Sequence, residues 1–432
     1  MNKLAEILNE KIYNDNKLVY DMLSGLGKNL YFPRGILFQG AEAKKYAKKF
    51  NATIGIATER GIPIHFQETY KYFNGLSPED LFNYAPASGR SRLRSLWKSK
   101  MIEDNPTLAD KKTSLPIATN GITHGLSISA DLFVDKDDNI LLPDKIWGNY
   151  KLIFGLRRSG KINYYKFLDN GRFNLKGLKN SIESIDSNKY IIIFNFPNNP
   201  LGYAISKDEG DEIASLMIDI ADSGKSLVII FDDAYFGLFY ESNILQESLF
   251  AYLANAHERI LSIKVDGVTK EEFLWGFRLG FITFGSKNLT AQSYNALEEK
   301  TMGIIRGTIS NCSMPIQTIV EELLKAGKYR EEQKLKFKIL QNRYSKVKNI
   351  LENPKYKEVW SVYPFNSGYF LCLKLNEINA EQLRKTLLEK YEIGIIATSE
   401  DEVRIAFSCI EEESIGDLFE QIYKCAIDLK NS

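Results

Sequence analysis

"IIFDDAYFGLFY", residues Ile229 to Tyr240, holds the decisive pattern. Val228 to Phe231 form a continuous apolar run, which predicts a strand buried on both faces. The run stops at two carboxylates, Asp232 and Asp233, followed by the phenol Tyr235. An interior strand that finishes on acids needs a reason, because a buried carboxylate without a partner carries a large desolvation cost.

Further runs of the same kind lie on either side: "NILLP" (Asn139 to Pro143), "YIIIF" (Tyr190 to Phe194) and "RILSIKV" (Arg259 to Val265). Amphipathic stretches separate them. In "KDEGDEIASLMIDIADSG", Ile213, Leu216, Met217 and Ile220 recur at helical spacing and Gly224 supplies a stop. Buried strands alternating with helices predict an α/β fold with a mostly parallel sheet covered by helices. After about Lys325 the texture changes. "KYREEQKLKFKILQNRYSKVKNILEN" predicts one long helix with an apolar stripe of Leu335, Ile339, Val347 and Ile350. Its basic residues have acids nearby and read as a solvated face rather than a nucleic-acid patch. "GYFLCLKL" and "EVRIAFS" then predict strands of a second, smaller α+β unit.

Composition narrows the function classes. The 432 residues suggest two or three domains. Fifty-six basic side chains against 55 acidic ones leave a net charge of +1, too little to attract nucleic acid or an acidic membrane. The four cysteines form no Cys-x-x-Cys pair, and the three histidines lie far apart, so no metal site is indicated. "MNKLAEILNEKIYNDNKL" has no apolar core of the signal-peptide kind, and no run approaches the ~18 apolar residues of a membrane span. Cytoplasmic residence is the default expectation.

In open α/β sheets, ligands bind beyond the carboxyl ends of the strands. There the sequence places "PDKIWGNY", "NFPNNPLGY", "DDAYFG" and "DGVTKEEFLWGFRLGF", while "ATNG" precedes the helix "THGLSISADLF". Singly, each has an ordinary reading: "NNPLG" as a turn, Asp232 as a helix cap, Trp147 as core, Lys270 as a surface lysine. Together they match what pyridoxal phosphate needs. Its aldehyde needs an amine, and its ring nitrogen a buried carboxylate. Its 3-oxygen needs donors, its ring an aromatic face, and its phosphate a helix start, a hydroxyl and an arginine.

From about Asn51 to Ala426 the chain resembles the class I aminotransferases of PLP fold type I, closest to the aspartate and aromatic amino-acid aminotransferases. "NNPLG" is similar to the family's Asn-Pro-Thr-Gly turn, with Leu201 for threonine, and "DDAYFG" to Asp-x-Ala-Tyr. "TKEEFLWGFRLGF" is similar to the family's lysine followed, eight positions on, by arginine. The resemblance implies that Lys270 bonds the cofactor aldehyde, that Asp232 faces the ring nitrogen, and that Tyr235 and Asn199 face the 3-oxygen. It implies a phosphate cup of Gly121, Ile122, Thr123, Thr269 and Arg278, with Trp147 stacked on the ring. "EVRIAFS" implies Arg404 as the α-carboxylate ligand. "IIRGTISNCSMP" implies Arg306 as the distal-carboxylate ligand, reaching in from a partner subunit. "NYAPASG" implies that Tyr84 crosses a homodimer interface to the other subunit's phosphate. "NATIGIATERGIPI" implies a segment closing over the substrate, with Ala57 where glycine is usual. Gly267, Cys312 and Leu201 depart from the family pattern.

The implied fold is a large PLP-binding domain, residues 61–330, with about seven strands, and a small domain of residues 1–60 and 331–432. The implied function is PLP-dependent transamination from aspartate or an aromatic amino acid to 2-oxoglutarate by a ping-pong route. Amino and 2-oxo acids would be the partners, with neither nucleic acid nor membrane. A β-lyase or decarboxylase on the same fold, and a PLP-binding regulator, remain as alternatives. "GLGKN" (Gly25 to Asn29) follows no apolar strand and is too short for a dinucleotide site.

Overall fold

The computed structural model describes residues 1–33 and 35–431. Its centre is a seven-stranded sheet of β1 (Ile117–Thr119), β2 (Asn139–Pro143), β3 (Lys161–Tyr165), β4 (Lys189–Phe194), β5 (Ser226–Asp232), β6 (Ile260–Gly267) and β7 (Gly280–Gly285). Their spatial order is β1-β7-β6-β5-β4-β2-β3. Only β7 pairs antiparallel with its neighbours, so the other six strands point the same way.

Alternation of side chains along each strand divides the core into two layers. Tyr190, Ile192, Phe194, Leu227, Ile229 and Phe231 face one layer. There they meet the helices α3 (Leu175–Glu183) and α4 (Lys207–Asp222). Ile191, Ile193, Val228 and Ile230 face the other, with α2 (Ile122–Phe133) and α5 (Ala291–Thr308). A further helix, α1 (Ser91–Asp104), buries Leu93, Trp97, Lys100 and Met101. Local signals fix the elements. Ser206 and Glu209 form a capping box at the start of α4, and Gly224 just past its end has φ +94°.

The predicted long helix is α6 (Tyr329–Leu351), but its buried face differs from the expected stripe. Leu335 is 69 % exposed, and the face runs through Tyr329, Leu340, Arg343, Tyr344 and Val347. Arg343 is buried there because its guanidinium donates to the carbonyls of Thr58 and Ser408 and to Glu411. A polar residue whose two terminal nitrogens are both partnered, though its Nε is not, occupies a position that hydrophobic spacing assigns elsewhere.

A second sheet of β8 (Trp360–Val362), β9 (Phe370–Leu375), β10 (Ile396–Ala397) and β11 (Glu402–Ala406) packs with α7 (Ala380–Tyr391) and α8 (Ile415–Lys430). The N-terminal segment joins this unit through Phe50 and Asn51, which pair with Ile393 and Gly394.

Candidate active site

The C-terminal ends of β4, β5 and β6 deliver the polar groups to one edge. Asn195 follows β4 and donates from Nδ2 to the carbonyl of Asp232 at 2.8 Å. Its Oδ1 accepts from the backbone N–H of Asn199 at 2.9 Å. Asn199 lies in a tight turn that begins at Asn198 and is closed by Gly202 N–H to Asn198 O at 2.8 Å. Only glycine fits at 202: φ is +75°, and a Cβ there would lie 2.0 Å from the carbonyl oxygen of Phe370. The turn therefore seats directly on the small sheet. From that sheet Arg404, buried on β11, donates through Nη1 to Asn199 Oδ1 and through Nη2 to Thr53 O, both at 3.0 Å. Its Nε is buried without a hydrogen bond. Because Asn199 Oδ1 faces Arg404, its amide hydrogens are left to donate.

At the end of β5 the two acids take different partners. Asp232 accepts from the Tyr150 hydroxyl at 2.5 Å and from the Ala234 N–H at 3.2 Å. Asp233 accepts from Ser248 Oγ at 2.6 Å and from the buried Lys264 ammonium. Burial pushes the Asp232 carboxyl up to about 6, opposed by the Tyr150 hydrogen bond and the charge of Lys270. Lys270 lies in the loop after β6, its Nζ 4.9 Å from the centre of the Tyr235 ring. Burial pushes its ammonium down to about 8, with Asp232 resisting and Arg278 adding to the depression. A substantial neutral-amine fraction therefore exists near pH 8. Burial also raises the Tyr235 phenol, which stays protonated and able to donate.

Gly121 (φ +77°) turns the chain from β1 into α2, whose first N–H groups have no side-chain cap. The exposed Arg278 guanidinium lies against Gly121, where a Cβ would come within 2.5 Å of Nη2. Arg278 has one long hydrogen bond, to Trp275 O at 3.5 Å. A helix start beside a nearly free guanidinium is an anion cradle. Ile122 opens that helix and Thr123 follows it, while Thr269 is buried beside Lys270 in sequence. Gly267 has no room for a side chain, since a Cβ would meet Gly280 Cα at 2.6 Å and Leu279 O at 2.7 Å.

Trp147 stands edge-to-face with Tyr150, ring centres 5.7 Å apart. Ala57 is fully buried. Among the described residues, neither Tyr84 nor Arg306 hydrogen-bonds to this cluster. Tyr84 is 91 % exposed, and Arg306 donates to Ser310 at 2.6 Å. Two polar residues of the site, Tyr150 and Asn195, were not singled out from sequence. Both lie inside the quoted segments "PDKIWGNY" and "NFPNNPLGY", three positions after Trp147 and four before Asn199.

The residues fit pyridoxal 5'-phosphate. The recessed Lys270 amine suits its aldehyde, the Asp232 carboxylate its ring nitrogen, and the cradle its phosphate. The unpartnered Arg404 Nε suits a carboxylate beside it. Among the described residues, no cluster of three or more His, Cys, Asp or Glu side chains is arranged to hold a metal.

Comparisons with known proteins agree with this geometry. The family model described as "Aminotransferase class I and II" matches residues 65–422. The chain is 23% identical over 399 residues to the cytoplasmic aspartate aminotransferase of Oryza sativa subsp. japonica, covering 88% of this chain and 92% of that protein. It is 22% identical over 324 residues to the aspartate aminotransferase of Bacillus subtilis, covering 73% and 76%. It is 27% identical to a probable aspartate aminotransferase of Methanocaldococcus jannaschii, but that match spans about half of each chain, 46% of this one and 48% of that. Among solved structures, an aminotransferase from Anaerococcus prevotii superposes with a TM-score of 0.83 at 22% identity, covering 94% of this chain and 99% of that one. A Thermus thermophilus aspartate aminotransferase with maleate gives 0.73 at 17%, covering 91% and 97%. The chain belongs to the class I and II aminotransferases, transaminases of PLP fold type I whose cofactor is pyridoxal 5'-phosphate.

Proposed function

We propose that this protein transfers the amino group of aspartate or an aromatic amino acid to 2-oxoglutarate in two alternating half-reactions. The observation that carries the reading is the placement of Lys270: a recessed amine, depressed to about 8, in the field of Asp232 and Arg278. When bound, pyridoxal 5'-phosphate supplies an electrophilic aldehyde and a ring that withdraws electrons. The chain supplies the rest. Lys270 Nζ holds the cofactor at rest and, once free, takes the Cα proton of the amino acid. Asp232 keeps a carboxylate opposite the ring nitrogen and so favours positive charge there. The Tyr235 hydroxyl and the Asn199 amide donate to the 3-oxygen. Gly121, Ile122, Thr123, Thr269 and Arg278 hold the phosphate, and Trp147 covers the ring face. Arg404 takes the α-carboxylate with its free Nε–H and remaining Nη hydrogens, while Ala57 shapes the cover of the site.

The same reading makes the protein a cytoplasmic homodimer. The 91 % exposure of Tyr84 and, among the described residues, the lack of a hydrogen bond from Arg306 to its own chain's cluster support service to the partner's site, the phosphate for one and a distal carboxylate for the other. It also divides the chain into residues 61–330, which contain the whole seven-stranded sheet, and residues 1–60 with 331–432, which contain the four-stranded one. No described helix is long and apolar enough to cross a membrane.

Lys270→Ala tests the reading. The variant should lose the visible absorbance of protein-linked cofactor and all turnover in a panel of amino acids with 2-oxoglutarate. Ordinary transamination by that variant would refute the assignment.

A further inference from the structure

Behind the site, on the side of Asp233 rather than Asp232, lies a buried ionic array. Lys264, 1 % exposed, pairs with Asp233 and Asp266. Lys100 on α1, 5 % exposed, pairs with Asp104 at 2.6 Å, Glu271 at 2.9 Å and Glu272 at 3.3 Å. Trp97 links the two centres, donating to Asp266 Oδ1 at 3.1 Å with Lys100 Nζ 5.3 Å from its ring centre.

The Lys100 centre bears directly on Lys270, because Glu271 and Glu272 are the next two residues. Other restraints hold the segment too: Leu274 N–H donates to the Val268 carbonyl at 3.2 Å, and the buried Phe273 ring packs on Phe66 and Trp275. Phe273, in the left-handed region at φ +55°, and the Tyr369 hydroxyl both donate to the Lys270 carbonyl, at 3.3 and 3.1 Å. Gln333 donates to the Glu271 carbonyl at 3.2 Å. The Glu271 carboxylate lies against Gly237, where a Cβ would come within 2.6 Å of Oε1. Gly237 closes the turn that carries Asp232 and Tyr235. One ammonium thus ties α1, the Lys270 segment and the Asp232 turn together.

The charges do not balance. Three carboxylates crowd the Lys100 ammonium, Asp104 has Arg330 as a second, more distant cation, and Glu272 has the weakest share. It is 1 % exposed, and neither of its oxygens has a hydrogen bond. Its surroundings are Lys100 and Asp104 from α1, Glu271 on its own segment, Tyr329 and Arg330 from α6, and Tyr369. Arg330 pairs with Glu103 at 2.7 Å and with Asp104 at 3.8 Å, and the Tyr329 hydroxyl makes no hydrogen bond. A buried carboxylate with acids as neighbours and only a shared ammonium 3.3 Å away favours its neutral form.

We propose that Lys100 is a positioning residue for Lys270, acting through Glu271 and Glu272, and that it holds this role only while Glu272 keeps its proton. With Glu272 neutral, Lys100 serves Asp104 and Glu271 and the segment is clamped. With Glu272 ionised, three like charges crowd one cation and the clamp loosens. Burial raises the Glu272 carboxyl to about 8, with Lys100 opposing and Glu271 and Asp104 adding to the rise, which places the change on the alkaline side of neutrality. This inference rests on the reading of Lys270 as the catalytic amine.

The test is Glu272→Gln, a mimic of the neutral acid. Infrared spectra of the protein without added cofactor, at pH 7, should show a protonated-carboxyl band in the wild type that is weaker by one glutamic acid in E272Q. In the loaded enzyme, kcat/KM at pH 7 should agree within about twofold. At pH 9, where a group titrating near 8 is about nine-tenths ionised, the wild type should be about tenfold slower than E272Q. Absence of the band from the wild type, its undiminished strength in E272Q, or superimposable pH profiles would each overturn the proposal. Should E272Q fail to fold, titrating wild-type protein carrying carboxyl-labelled glutamate from pH 6 to 9 reads the same proton. The infrared result does not depend on chemistry at Lys270, so a failure of the Lys270→Ala test leaves it intact and identifies which reading is wrong.

Discussion

The Tyr150 hydroxyl donates to Asp232 Oδ2 at 2.5 Å, with both side chains buried. The bond steadies the one carboxylate of the site that has no cation in contact with it. Asp232 sits at about 6, above its ordinary 3.8, so in the cofactor-free chain folding favours the protonated acid. That contribution is fully present below the unfolded value and is lost as pH rises from about 3.8 through about 6. Tyr150→Phe removes a stabiliser of the carboxylate and extends the loss to higher pH. At pH 7 the cofactor-free variant should be less stable than wild type by about 1.5–3 kcal/mol, and the gap should narrow below pH 4. Denaturant melts across this range measure it; a gap independent of pH would exclude ionised Asp232 as the acceptor.

The anion cradle makes a separate claim. Gly121→Ala must place a Cβ where the Arg278 guanidinium lies, on a backbone at φ +77°. Cofactor affinity should fall about tenfold or more, equivalent to about 1.4 kcal/mol or more. Arg278→Met should lose about 1.5–3 kcal/mol of binding through the missing charge-assisted bond. Absorbance titration with pyridoxal 5'-phosphate reports both, and unchanged affinity in both would place the phosphate elsewhere.

Substrate recognition separates the two arginines. Arg404→Lys should raise KM for every amino donor, by about a hundredfold, because an ammonium cannot replace a planar fork. Arg306→Ala should impair aspartate and glutamate far more than tyrosine or phenylalanine. Equal losses for both groups would remove Arg306 from the site.

Gly202 tests the junction of the two sheets. An alanine Cβ 2.0 Å from Phe370 O cannot be accommodated without moving backbone. Gly202→Ala should lower stability by about 3 kcal/mol or more, read as a fall in the urea midpoint. An unmoved midpoint would mean that the turn is free of β9.

The strands were legible because burial on both faces writes an unbroken apolar run. "NILLP" coincides with β2, while β6 runs two residues past the expected Val265 to take in Asp266 and Gly267. Those two are polar or small, yet they pair with Phe281 and Gly280 of β7. The departure of Gly267 from the family pattern has a three-dimensional reason: the neighbouring strand's backbone fills the space. Tyr150 escaped notice because an aromatic in a core segment reads as packing, and only its hydroxyl's partner, 82 residues away, reveals more. Leu335 and Arg343 exchanged the expected faces of α6 for a similar reason. Hydrophobic periodicity records what a side chain prefers, while the fold supplies the carbonyls that let an arginine go in.

The guanidinium of Arg404 joins partners 205 and 351 residues away along the chain, Asn199 and Thr53. Contacts of such separation come at a high loop-closure cost and form only when most of the polypeptide is already ordered. The Arg404 corner of the site therefore depends on order in both sheets at once. A ribosome-bound or truncated chain ending before β11 would hold every residue of the anion cradle yet lack this guanidinium altogether.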